Sequence, residues 1–118
     1  MATHQQTGKK GEELAAEWLR QKGYQLIERN WRYSHYEIDI IASLGRTLHF
    51  IEVKTTRSDA FGWPEEAVTD AKMNSLMKAA EAYLDEHPEW ILIQYDIASV
   101  RLLSNSAPDI YLIEDVYL

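Results

Sequence analysis

The sequence predicts an α/β fold, a mixed β-sheet flanked by helices, with elements in the order α-β-β-β-α-β-β. Three observations carry this. Residues 8–22 and 70–87 space their apolar side chains as helices do. The stretches between and beyond them are short runs rich in β-branched and aromatic residues. Two of those runs flank Ser43-Leu44-Gly45-Arg46, whose glycine suits a tight hairpin turn.

Taken in chain order, residues 8–22 read as an amphipathic helix with Gly23 as its stop. At about 100° per residue, Leu14, Ala15, Ala16, Trp18 and Leu19 form one arc, with Glu13, Glu17 and Arg20 opposite. Glu12 falls inside the apolar arc and faces the body of the protein. Residues 24–31 read as a strand, followed by the strands of 37–41 and 50–54. Residues 57–66 read as a loop broken at Gly62-Trp63-Pro64. Thr69 or Asp70 caps a second helix that runs to about His87, stopped by Pro88. Its arc is Met73, Leu76, Met77, Ala80, Tyr83 and Leu84, with Lys72 at the edge and Lys78 far outside. Residues 90–98 read as a strong strand, 100–103 as a short one and 110–114 as a weaker one. Trp18, Trp31 and Trp90 are assigned to the core.

A chain of 118 residues is expected to be one domain, spanning 1–118, large enough to bury a real core. It has no cysteine, which excludes disulfides, thiolate metal sites and cysteine nucleophiles and agrees with a reducing compartment. The polar start, with Lys9 and Lys10, does not read as a signal peptide, and no apolar run reaches membrane-spanning length, so the expected location is the cytoplasm. Net charge is −7, which argues against broad non-specific nucleic-acid binding. The charge is uneven, however. Residues 1–57 carry nine Lys/Arg against seven Asp/Glu, a net of +2, and residues 58–118 carry three against twelve, a net of −9.

The chemistry concentrates in Glu37-Ile38-Asp39-Ile40-Ile41 and Phe50-Ile51-Glu52-Val53-Lys54. Alternation sets Glu52 and Lys54 on one face, roughly 6.6 Å apart along the strand. It sets Asp39 on one face of its own strand, with Ile38 and Ile40 on the other. Hairpin pairing would bring Asp39 beside Glu52 and Lys54. Two carboxylates and an ammonium on otherwise apolar strands are costly unless something pairs them. The plain reading is a salt bridge on a half-exposed sheet face. The sharper one is a divalent metal, and an acid–metal–lysine site is suited to phosphodiester hydrolysis.

Gly11-Glu12, Gly23-Tyr24, Asn30-Trp31-Arg32, the 37–41 run, Glu52-Val53-Lys54, Gly62-x-Pro64 and Lys72 resemble, in order and spacing, the UPF0102 (YraN-like) family. The likeness covers residues 8 to about 96. That family resembles the PD-(D/E)xK nuclease superfamily and is similar to archaeal Holliday-junction resolvases. The resemblance implies a restriction-endonuclease-like fold and a metal-dependent DNA endonuclease. Residue by residue it implies Glu12, Asp39, Glu52 and Lys54 as catalytic. Ile38 stands where the superfamily's proline precedes the aspartate.

With that likeness, Mg²⁺ or Mn²⁺ fits as cofactor, since Mg²⁺ takes one or two carboxylates plus water and substrate phosphate. Asp39 and Glu52 are the expected direct ligands, joined by the Ile51 or Val53 carbonyl, with Glu12 acting through water or a second ion. Lys54 is expected to orient the attacking water. Ions bound there would make the first half of the chain more basic still. Arg32, Arg57 and Lys72 are the expected nucleic-acid contacts. Arg29 and Arg46 are weaker candidates, and Glu37, His35 and Trp63 are candidates without an assigned role. His4, His49 and His87 are expected to be bland. The expected partner is structured or branched DNA, with a homodimer because symmetric cutting of two strands needs two sites. The competing readings are a non-catalytic module that binds DNA or a repair partner, and a plain interaction domain. The four intact site residues favour the enzyme, and the net charge of −7 favours a partner role.

Overall fold

The computed structural model describes residues 3–57 and 70–116. Helix α1 (His4–Gln21) is followed by strands β1 (Gln25–Tyr33), β2 (Tyr36–Leu44) and β3 (Thr47–Arg57). Helix α2 (Asp70–Glu86) and strands β4 (Leu92–Leu102) and β5 (Asp109–Ile113) complete the order α-β-β-β-α-β-β. The five strands form one open mixed sheet in the order β1-β2-β3-β4-β5. β1, β2 and β3 are antiparallel, β4 runs parallel to β3, and β5 returns antiparallel along β4.

Helix α1 begins four residues earlier than the expected start at Gly8. Thr3 caps it: the Thr3 hydroxyl accepts from Gln6 N–H while the Gln6 side chain accepts from Thr3 N–H. This reciprocal box satisfies donors that the polar start otherwise leaves open. The helix ends as expected at Gly23, whose φ of 97° only glycine adopts at little cost. Asp70 is the first residue of α2, not its cap, and Thr69 lies outside the described residues, as do Gly62, Trp63 and Pro64. Arg57, expected in a loop, ends β3, which pairs with β4 in register from Thr47↔Leu92 to Arg57↔Leu102. The expected strands at 90–98 and 100–103 are a single strand. Ser99 does not interrupt it, because its backbone is paired on both sides, with Lys54 of β3 and Tyr111 of β5, and Trp90 and Ile91 fall before its start.

The sheet buries both faces. On one, Ala15, Ala16 and Leu19 of α1 pack on Ile40, Ala42, Ile51, Ala98 and Val100. On the other, Leu76, Ala79, Ala80 and Tyr83 of α2 pack on Ile38, Ile41, Leu48 and Phe50. Tyr83 meets Trp31 and Phe50 edge-on, with ring centroids 5.3 and 5.9 Å apart. Contacts of that geometry add about 0.5–1.5 kcal/mol each beyond burial. Among the described residues no helix is long and apolar enough to cross a membrane.

Candidate active site

The site lies where β2 parts from β3. The two strands pair in register from the Gly45-Arg46 turn, at Leu44↔Thr47, as far as Ile40↔Ile51. There a side chain takes over from the main chain: the Asp39 Oδ2 accepts the Val53 N–H at 2.8 Å. On the other side of β2, β1 pairs through Arg29↔Ile40 and Trp31↔Ile38, and Asn30 between them adopts a left-handed φ of 53°. Ile38 packs in the layer against α2 and Ile40 in the layer against α1, which corrects the expectation that the two share a face. The change of face falls at Asp39, beside the left-handed Asn30 of β1.

The parting opens a cleft of about 480 Å³. Glu12 reaches it from α1, Asp39 and Glu37 from β2, Glu52 and Lys54 from β3, and Lys72 and Ser75 from α2. All four residues expected to be catalytic therefore line one cavity. Gly11 sets α1 in place, because a Cβ at that position would collide with the Thr55 side chain of β3. That close approach carries Glu12, the next residue, to the cleft wall.

The electrostatics are those of crowded acids. Asp39 and Glu52 are close enough for each carboxyl to shift the titration of the other. Burial pushes both carboxyls above their usual range, and repulsion between neighbouring acids adds to this. The Val53 N–H offsets part of the shift at Asp39, and the Lys72 ammonium, 3.8 Å from Glu52 Oε1, offsets part at both. Burial likewise lifts Glu12 to about 7, helped by Asp39 and Glu37 and opposed by Arg29. Glu12 Oε1 is buried with no hydrogen-bond partner.

These residues fit a hard divalent cation. The donors are carboxylate oxygens, one of them a buried acceptor without a partner, and the acids repel one another without a cation between them. Among the described residues no three His, Cys, Asp or Glu side chains are grouped so that they could hold a metal ion by themselves. A metal there would have to complete its shell with water and phosphate rather than sit in a closed protein cage.

The expected nucleic-acid contacts divide. Lys72 is in the cleft. Arg32 is exposed at its edge and pairs with Glu37 at 2.9 Å. Arg57 donates to the Thr7 hydroxyl at 3.1 Å, tying the end of β3 to α1. His35, given no role from sequence, lines the cleft, and Thr7, Thr55 and Ser75 join it without any sequence signal. Arg29 and Lys9 border a second cavity of about 880 Å³ that shares Gly8, Glu12, Glu37 and Lys72 with the first. His49 is not bland: it is buried with its Nδ1 2.6 Å from Asp96 Oδ2. Asp96 also accepts from Gln94 and from the Asp115 N–H, so the cluster ties β3, β4 and the end of the chain together.

An open mixed sheet of five strands with a helix on each face is an α/β architecture. It superposes on Archaeoglobus fulgidus Hjc, a Holliday junction resolvase from an archaeal hyperthermophile, with a TM-score of 0.50. The likeness covers 88% of this chain and 75% of that one at 19% identity. In sequence, residues 11–100 match the uncharacterised protein family UPF0102, and the chain belongs to that family. A UPF0102 protein of Christiangramia forsetii is 42% identical over 107 residues, covering 91% of this chain and 88% of the relative. One of Syntrophomonas wolfei is 46% identical, covering 76% and 79%.

Proposed function

We propose that this chain is a metal-dependent endonuclease that hydrolyses phosphodiesters of structured or branched DNA. The observation that carries this reading is the Asp39–Glu52 pair, two largely buried carboxyls that line one cleft with Glu12 and Lys54. Asp39 and Glu52 would hold Mg²⁺ or Mn²⁺ with a main-chain carbonyl of Ile51 or Val53, and Glu12 would serve through water. When bound, the ion polarises the phosphate and makes water a better nucleophile. Asp39 arrives already aimed, since the Val53 N–H fixes one of its oxygens. Lys54 orients the attacking water and offsets charge that grows on the phosphate. Lys72, Arg32 and Arg57 hold flanking phosphates, which positions the strand without reading its sequence. Cutting two strands of a junction calls for two copies of the chain.

One observation favours a second reading. A net charge of −7 weakens attraction to DNA and suits a module that binds a nucleic acid or repair partner without cutting. Cleavage and binding measured side by side on single-stranded, duplex and four-way-junction DNA, with Mg²⁺ or Mn²⁺, separate the two. Metal-dependent cutting that Asp39→Asn and Glu52→Gln abolish supports the enzyme. Tight binding without cutting under any metal supports the binding module.

A further inference from the structure

Lys72 sits in the first turn of α2 and reaches across the cleft. Its ammonium is 3.8 Å from Glu52 Oε1. The two ends differ in environment: the Lys72 side chain is 54% exposed and that of Glu52 only 16%. A half-solvated lysine is thus the cation closest to the Asp39–Glu52 pair, and it borders both cavities. A divalent cation held by the same carboxylates and an ammonium at Glu52 compete for one set of oxygens and repel each other. Lysine is the residue that can give way. Its charge is compact, its four-carbon stem swings, and a half-exposed ion pair costs little to break.

Resting on the nuclease reading, we propose that Lys72 is the internal counter-ion of the metal-free site. The divalent cation displaces it from Glu52, and the ammonium then turns to the phosphate of the bound strand. Metal loading and strand binding are thereby coupled, and linkage makes the coupling reciprocal. Without metal, Lys72 is spent on Glu52; with metal, the same charge is presented to the substrate.

The test uses the full chain carrying Lys54→Ala, which suppresses turnover. Mn²⁺ affinity is measured by titration calorimetry, and affinity for a labelled single-stranded oligonucleotide by anisotropy with and without Mn²⁺. Lys72→Met keeps the stem and removes the charge. It should bind Mn²⁺ roughly two- to tenfold tighter and lose most of the gain in oligonucleotide affinity that Mn²⁺ confers. Lys72→Arg should keep both wild-type behaviours. Equal or weaker Mn²⁺ binding by Lys72→Met, or an undiminished Mn²⁺-dependent gain, overturns the proposal while leaving the nuclease reading intact. If the protein with Lys72 in place takes up no Mn²⁺, the nuclease reading falls and this inference falls with it.

Discussion

Each acid of the cleft does something different to the protein that carries it. Glu12, Asp39 and Glu52 all hold their protons more tightly folded than unfolded, Glu12 to about 7. The folded state therefore binds more protons than the unfolded one between the usual carboxylate range and the raised values, and stability falls as pH rises through that window. Melting in EDTA should show a higher Tm near pH 5 than near pH 8, and Glu12→Gln should flatten the slope. An identical slope in that variant would place the cause elsewhere. Asp39→Asn and Glu52→Gln remove the mutual repulsion. Glu52→Gln should raise the Tm of the metal-free protein, Asp39→Asn should not, because it trades the carboxylate that accepts the Val53 N–H for a weaker acceptor, and both should lose the rise that Mn²⁺ produces. A metal response unchanged in both means that the ion binds at another place. Lys54→Ala should leave Mn²⁺ binding and most DNA affinity in place while cleavage drops on the order of a hundredfold, the scale of one lost electrostatic stabiliser.

At the scale of elements, the hairpin was readable because β-branched runs around a glycine turn have few other fates. Helix α2 was readable because its apolar arc is regular. The change of face at Asp39 was not, because it goes with a left-handed Asn30 in the neighbouring strand and with a side chain standing in for a main-chain acceptor. Neither leaves a periodic trace. The early start of α1 was missed for a similar reason: the Thr3–Gln6 box is local polar chemistry ahead of the apolar pattern. Glu12 was placed correctly by its position in the helical arc, but what brings it to the cleft is Gly11 against Thr55, a contact between elements far apart in the chain. Gly11→Ala should therefore cost about 1–3 kcal/mol, as overpacking does, and Thr55→Gly in the same chain should recover part of it. Denaturant melts of both singles and the double give the coupling. Purely additive effects would show that the two positions do not touch.

At the scale of the molecule, charge is segregated. The net of −9 in residues 58–118 stands against +2 in residues 1–57, which contribute most of the cleft. Nucleic acid is expected to approach from that first half. Arg32→Ala and Arg57→Ala should each weaken DNA binding and lower the slope of log affinity against log salt by about one. The exposed Arg46, at the far end of the β2–β3 hairpin, serves as control, and an equal effect of Arg46→Ala would mean that binding is diffuse. Sedimentation of the chain with a four-way junction should give two copies per junction.

The bond from Asp39 to the Val53 N–H has an evolutionary consequence. Asp39 completes the sheet where the main chain cannot, so selection for folding alone protects it. Glu12, Glu52 and Lys54 make no main-chain contact of that kind, so in a lineage released from chemistry the sheet does not hold them and they are free to drift. A descendant that has abandoned turnover should therefore keep its aspartate and shed the other three. Among relatives, the joint presence of that trio is the informative sign of an active enzyme, and the aspartate by itself says only that the strands still part in the same way.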